Sequence, residues 1–410
     1  MIQSKEKATL VGGTVKRGFE GVKEAFVRNF ERLGENGAAC AVYWRGEKVV
    51  DLWGGYADPV RRIPWEERTM VPVFSSTKGF AALCAAVAHS RGWFGYDDPV
   101  AQYWPEFGKH GKERITIRQL LAHQAGLCAL DGLELRRYAD LDTANVAGQL
   151  AEMKPEWEPG SAHGYHTWTI GWFIGELLRR TDPQGRSLGR LLQEEICAPL
   201  QAEFYIGLPD EVPDSRLAKV RGIDSPLDLL FHLHEIPMAL FAGFLNPRSL
   251  TSRSMVDRKR LVANANFNDR DMLSIEFPSG NGIGEARAMA RIYGEFATGG
   301  GKLGLTASTL KELCRPAEPP ASGWFDRVNR VDLGYSLGLW KPIPQRMFGS
   351  SLHAFGHPGA GGSFCFADPD LGLGYAYVLN RIGGYMDRNP RENTVRRAVY
   401  DCLKSMGEED

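Results

Sequence analysis

The stretch from Met70 to His89, M-V-P-V-F-S-S-T-K-G-F-A-A-L-C-A-A-V-A-H, constrains this chain more than any other. A short apolar run (Val71, Val73, Phe74) gives way to Ser75-Ser76-Thr77-Lys78, and an alanine-rich, almost wholly apolar segment follows from Phe80 to Ala88. So continuous an apolar run reads as a buried helix rather than a surface helix with one apolar face. A helix that begins near Ser75 sets Ser75 and Lys78 three residues apart on one face, where their side chains meet. A serine hydroxyl is a poor nucleophile until a base takes its proton. A lysine whose ammonium is disfavoured by burial is such a base at neutral pH. The competing reading is a helix-capping serine with a lysine nearby.

The pattern Ser-x-x-Lys occurs three times, at Ser4–Lys7, Ser75–Lys78 and Ser308–Lys311. The first lies in a charged N-terminal tail. The third opens a polar helix (T-L-K-E-L), where Ser308 is expected to cap. Only Ser75 stands at the mouth of a segment too apolar for the surface. A rival serine sits in Gly185-Arg186-Ser187-Leu188-Gly189, which matches G-x-S-x-G, the nucleophile elbow of α/β-hydrolases. That elbow needs a buried strand before it, and the preceding R-R-T-D-P-Q is polar and proline-broken. Ser187 is therefore expected only to start the helix R-L-L-Q-E-E-I.

At 410 residues and 43% hydrophobic, the chain can bury a large core, expected in two lobes. Lysine plus arginine total 49 against 50 acids, so the net charge of -1 points to neither nucleic acid nor an anionic membrane. Seven scattered cysteines without C-x-x-C spacing read as free thiols in a reducing compartment, not as disulfides or a zinc site. No metal and no cofactor is expected. The N-terminus lacks the apolar core of a signal peptide, and no stretch approaches 18 uncharged apolar residues. The expectation is a soluble, cytoplasmic protein, with a homo-oligomer left open.

In chain order, Gly21 to Gly34 has helical spacing (Val22, Phe26, Val27, Phe30, Leu33). Ala38–Trp44 and Lys48–Trp53 form a hairpin around Arg45-Gly46-Glu47, ended by Gly54-Gly55. A helix entered through Thr116 runs to His123. Helical signals dominate from Asp97 to Leu240: Leu120-Leu121, Tyr138–Met153, Thr169–Arg180 and Leu188–Leu200. Strand-like alternation returns at Leu333–Trp340, Gly362–Asp368 and Gly372–Asn380, the last two joined by a turn at Asp368–Gly372, and Glu392–Met406 is again helical. The simplest architecture is α+β: one antiparallel sheet built from both chain ends and flanked by the terminal helices, with a mostly helical lobe inserted. The lobe boundaries are placed at 1–96 with 271–410, and 97–270.

Two loops stand out. Pro159-Gly160-Ser161-Ala162-His163-Gly164-Tyr165-His166-Thr167 leads into a helix, where loops commonly present functional side chains. Phe355-Gly356-His357-Pro358-Gly359-Ala360-Gly361-Gly362-Ser363 carries enough glycine before a strand to demand a close backbone approach, either to another segment or to a ligand. Each alone is equally readable as a plain turn, and His357 as a hydrogen-bonded structural histidine.

Together, Ser75-Ser76-Thr77-Lys78, Tyr165-His166-Thr167 and His357-Pro358-Gly359 follow in the order and approximate spacing of the three motifs of the serine β-lactamase-like hydrolases. The separations are 165 − 75 = 90 and 357 − 165 = 192 residues. The chain resembles this family from the hairpin at Ala38 through the C-terminal strands. It looks most like the branch of family VIII carboxylesterases, class C β-lactamases, D-aminopeptidases and related acyltransferases. The resemblance implies a β-lactamase/transpeptidase-like fold with the site between the lobes, and an acyl-enzyme on Ser75. Lys78 would be the proton acceptor, or the charge that keeps its partner deprotonated. Tyr165 would shuttle protons, its phenol pKa lowered by the Lys78 charge. The backbone N–H groups of Ser75 and Ala360 would form the oxyanion hole, with Gly359 and its neighbours kept small so that a substrate carbonyl can enter.

Two departures narrow the substrate. Relatives of the β-lactamase type usually carry Tyr-x-Asn and Lys-Thr-Gly; here the corresponding positions are Thr167 and His357. Another Lys-x-Gly, Lys302-Leu303-Gly304, has no comparable strand after it. Histidine is mostly neutral at pH 7, so a permanent cation for a β-lactam carboxylate is missing. That favours a small-molecule, uncharged ester: a carboxylesterase on short-chain or small aromatic esters. An acyltransferase, a β-lactamase or a D-aminopeptidase-type amide hydrolase with the same triad, and a non-catalytic scaffold of the same fold, are the alternatives.

Overall fold

Strand pairing at a two-residue turn starts the sheet. The computed structural model describes residues 10–222, 233–257, 259–385 and 388–407. Strands β2 (Gly37–Trp44) and β3 (Glu47–Asp58) pair across Arg45-Gly46, whose φ angles of 51° and 83° make the primed turn that suits the twist of a hairpin. The hairpin is as expected, but β3 does not stop at Gly54. Gly55 at φ 73° lets the backbone of Asn36 come close, a Cβ there lying 2.1 Å from Asn36 O, and the strand continues to Asp58. It pairs with β1 (Gly12–Val15) on one side and, beyond Gly55, with the short β4 (Ile63–Pro64).

The C-terminal strands complete the sheet. β8 (Gly334–Ser336), β9 (Leu339–Lys341), β10 (Phe355–Pro358), β11 (Phe364–Asp368) and β12 (Leu373–Leu379) extend it in the order β1-β3-β2-β12-β11-β10-β9-β8, each pair antiparallel. The seam is β12 on β2, from Leu373 opposite Trp44 to Leu379 opposite Ala38.

Side-chain size assigns the two faces. On β2, β11 and β12 the small residues Ala39, Ala41, Cys365, Ala367 and Ala376 share one core with helix α2 (Ser76–Ser90) and helix α7 (Ala286–Ala297). The alternate residues Cys40, Val42, Phe364, Phe366, Tyr375 and Tyr377 pack with the terminal helices α1 (Glu20–Arg32) and α9 (Pro390–Gly407). Helix α7 lies directly on β12, where a Cβ on Gly374 would fall 2.2 Å from Gly294 N. Residues Ser76 to Ala88 of α2 are all buried, as their composition demands.

Between the two halves of the sheet come α3 (Ile117–Leu121), α4 (Thr143–Ala151), α5 (Thr169–Thr181) and α6 (Leu188–Leu192). Thr116 and Gln119 form a reciprocal capping box on α3. The predicted helix Tyr138–Met153 is broken: a 3-10 turn (Tyr138–Leu141) precedes α4, because Asp142 caps α4 by accepting from Ala144 N. Leu188–Leu200 is continuous but passes through a π turn at Gln193–Cys197.

Four expectations are corrected. Leu333–Trp340 is a hairpin, β8 to β9, not one strand; Leu337 and Gly338 turn at φ 52° and 81°, and Gly338 rests on Ala82 of α2. Phe355–Pro358, expected as loop, is strand β10. A second sheet of β5 (Val71–Pro72), β7 (Ile283–Gly284) and β6 (Phe204–Tyr205) was not anticipated, since two-residue strands carry no alternation. Thr306, not Ser308, caps helix α8 (Ala307–Cys314), its hydroxyl accepting from Thr309 N. Ser4, Lys7 and part of the predicted helical region (223–232) lie outside the described residues. Among the described residues no helix is long and apolar enough to cross a membrane.

Candidate active site

Ser75 precedes α2 in helical geometry (φ -63°, ψ -13°) and its side chain caps nothing. Its hydroxyl is therefore available to the first turn of the helix. Phe74 before it stands at φ 49°, a left-handed conformation that costs an L-residue roughly 1–2 kcal/mol. Thr77 stabilises that turn: both its N–H and its hydroxyl donate to Phe74 O, and the hydroxyl accepts from Gly282 N. One turn on, Lys78 Nζ donates to Ser75 Oγ at 3.1 Å and to Ser279 O at 2.6 Å, and lies 5.1 Å from the centre of the Tyr165 ring. Lys78 is 0% exposed whereas Ser75 is partly exposed, so only the serine end of the pair reaches solvent. Burial without a carboxylate partner drives the lysine pKa well below its ordinary value, which favours the neutral amine.

Tyr165 comes from the histidine-bearing loop, and the histidines fix its backbone. His166 N donates to His123 Nδ1 (3.1 Å), Leu127 N donates to His166 Nε2 (3.0 Å), and His166 Nδ1 donates to Gly164 O (2.8 Å). The buried phenol lies 3.5 Å from His357 Nε2. His357 Nδ1 donates to Pro358 O at 2.7 Å, so in the neutral imidazole Nε2 is the acceptor and the phenol O–H points toward it. Burial raises the Tyr165 pKa, and the hydrogen bond with Ser75 offsets only part of the rise. The expected lowering by Lys78 is absent: burial of the phenol sets the direction of its shift. The phenol stays protonated.

His357, 1% exposed on β10, reaches the cluster because α2 and β10 nearly touch at Gly79, where a Cβ would lie 3.2 Å from His357 Cβ. Burial first, and then the Lys78 charge, hold its pKa well below the usual imidazole range, so it is neutral at pH 7. Beyond it, Ala360 is exposed and opens the turn Ala360–Gly362. Among the described residues neither the Ser75 nor the Ala360 N–H has an acceptor. The glycines around them make close approaches within the protein. A Cβ on Gly359 would lie 2.2 Å from Val73 O, on Gly361 2.5 Å from Ile382, and on Gly362 2.3 Å from Asn389. The turn is pinned from behind by Asn389 Nδ2, which donates to Gly361 O at 2.8 Å. Arg391, buried against Glu35 at 2.9 Å, backs it.

The structure thus brings Ser75, Lys78, Tyr165 and His357 into one cluster and leaves the rival serines elsewhere. Ser187 caps α6, accepting from Arg190 N and donating to Glu276 Oε1 at 2.5 Å, as its context predicts. Lys302 sits exposed in a 3-10 turn. Thr167 is buried and, among the described residues, its hydroxyl donates only to Tyr165 O. Two residues escaped the sequence reading. Ser279 supplies the carbonyl that holds Lys78, while its hydroxyl donates to Trp168 O and accepts from Gly171 N in the first turn of α5. The signal was the turn-forming run Pro278-Ser279-Gly280-Asn281-Gly282. His123, which orients the Tyr165 loop, is buried at φ 59° with Nε2 unpartnered among the described residues. Its only signal was a histidine three residues before Gly126.

A buried lysine on a serine at the head of a helix, with a phenol beside it and an antiparallel sheet alongside, is the arrangement of the β-lactamase-like class of serine hydrolases. The β-lactamase family model matches residues 26–400, and the chain belongs to that family. It is similar to the esterase/beta-lactamase LipL of Mycobacterium tuberculosis, with 32% identity over 91% of this chain and 83% of that protein. Among solved structures it is similar to a penicillin-binding protein homolog from Caulobacter crescentus (34% identity, TM-score 0.81) and to a family VIII carboxylesterase (34% identity, TM-score 0.80). Each comparison covers 96% of this chain and 99% of the other. The protein is an enzyme of the β-lactamase-like serine hydrolase family.

Proposed function

We propose that this protein is a carboxylesterase acting on short-chain or small aromatic esters through an acyl-enzyme on Ser75. Ser75 Oγ attacks the ester carbonyl carbon while its proton passes to Lys78 Nζ. The N–H groups of Ser75 and Ala360 receive the developing oxyanion. As the ester C–O bond breaks, the leaving alkoxide takes a proton from the Tyr165 phenol, which is replenished from the Lys78 ammonium. Water then attacks the acyl-enzyme, returning its proton by the same route, and the carboxylic acid leaves. Base and acid roles belong to the Lys78–Tyr165 pair acting as one unit.

The observation that carries the ester reading is His357, buried and neutral where a fixed cation would favour an anionic substrate. The esterase similarities support it. Ser75, Lys78 and His357 come from the lobe 1–96 with 271–410 and Tyr165 from 97–270, which supports a site between the lobes. All seven cysteines are free thiols, which supports a reducing, cytoplasmic setting. The test is a panel of p-nitrophenyl esters beside the cephalosporin nitrocefin. The butyrate should be turned over with much higher kcat/KM; equal or faster nitrocefin turnover would overturn the reading.

A further inference from the structure

Phe74 carries a bulky side chain at a backbone position that favours glycine. It lies directly before Ser75, and its ring packs on Phe267 with centroids 4.7 Å apart and planes at 55°. Both phenylalanines, like Ser75, are only partly buried, while Lys78, Tyr165 and His357 are buried. Phe74 therefore sets a partly exposed aromatic pair one residue from the nucleophile. Phe267 is held there by its own loop. The side-chain amide of Asn268 brackets Val220, accepting from its N–H at 2.7 Å and donating to its carbonyl at 2.8 Å. Asn266 Oδ1 accepts from Asn268 N, and Asn266 N donates to the Tyr138 hydroxyl. A ring placed by so many local bonds does not swing away from a substrate without breaking them.

We infer that the Phe74–Phe267 pair is the apolar wall beside Ser75 that sets the size of the acyl group the enzyme accepts, restricting it to short or flat groups. The inference rests on the esterase reading for its substrate but not for its test. A glycine at position 74 would adopt the left-handed φ freely, so the chain bears a phenylalanine there against its local preference. The ring's contact with Phe267 and its place at the nucleophile are what that phenylalanine provides. Truncating either ring opens space for an alkyl chain alongside the acylated serine.

The experiment is the rate at which Ser75 is labelled by an ethyl and an octyl fluorophosphonate, with the p-nitrophenyl acetate and octanoate kcat/KM ratio measured in parallel. Phe267→Ala and Phe74→Gly should each raise the octyl-to-ethyl labelling ratio at least tenfold, and Phe267→Tyr, which keeps the ring, should keep the ratio within twofold. Phe74→Gly is chosen because its backbone strain falls, and a thermal melt checks that both variants are folded. Ratios unchanged within twofold in both truncations would overturn the wall. Absence of ester turnover while labelling proceeds would overturn the esterase reading alone, and the labelling ratios would still decide the wall.

Discussion

Ser75–Lys78 and Ser308–Lys311 share one spacing and one local setting, the first turn of a helix, yet they differ in chemistry. The two helices even touch: Thr309 of α8 meets His89 Nδ1 and Ser90 Oγ at the far end of α2, each at 2.7 Å. Ser308 and Lys311 are exposed, and the Ser308 hydroxyl lies 3.0 Å from that of Thr306. That lysine stands in solvent. Lys78 has lost its water and gained one carbonyl, one hydroxyl and an aromatic face. Spacing gives the two pairs the same reach; burial is what lowers the pKa of Lys78.

The comparison breaks most sharply at the nucleophile. Ser75→Ala should abolish both fluorophosphonate labelling and ester turnover, while Ser308→Ala and Ser187→Ala label as the unsubstituted protein does. Mass spectrometry locating the adduct on Ser187 or Ser308 would end the argument. Next, Lys78→Ala and Tyr165→Phe should each lower kcat by about 10³–10⁴-fold, near the upper range for acid–base groups. The double variant should lose little more than either single one, as groups acting as a unit do.

The pH–rate profile sharpens the desolvation claim itself. Catalysis needs the neutral amine, and the Lys78 pKa is lowered in the folded protein, so kcat should rise with pH to a midpoint well below the ordinary lysine value of 10.5. The Tyr165 pKa is raised, so the plateau should hold past the usual phenol range near 10. A midpoint at 10.5 would mean that burial does not tune the lysine. His357→Ala should be milder, about 10–100-fold in kcat/KM, or about 1.4–2.7 kcal/mol. Smallest is the cap on the comparison helix: Thr306→Ala should cost about 1 kcal/mol of stability by denaturant titration. Ser75→Ala, which removes no capping bond, should cost less than that.

What could be read in advance follows the range of the interaction. The buried helix, the Arg45-Gly46 hairpin and the Ser187 cap are local, and each is written within a dozen residues. Lys78's partner Ser279 is 201 residues away and contributes a backbone carbonyl, which any residue type supplies, so no side-chain pattern announces it. The glycines at 359, 361 and 362 were legible as close approaches, but whether to Ile382 and Asn389 or to a ligand depends on tertiary packing. The Tyr165 pKa went the other way from expectation for a related reason. The charge and the burial of Lys78 could be read from sequence, whereas the burial of the Tyr165 phenol, which sets the direction of its shift, could not.

The seam between β2 and β12 has a consequence during synthesis on the ribosome. About 330 residues separate Trp44 from its partner Leu373. At 5–20 residues per second the free edge of β2 waits roughly 15–65 s for its neighbour to emerge. Through that interval Ala38–Trp44 offers an unpaired, mostly apolar strand to any other nascent chain. Slow synthesis or a stall before residue 373 would therefore be expected to lower the yield of soluble protein more than an equal delay after Leu379, when the edge is closed.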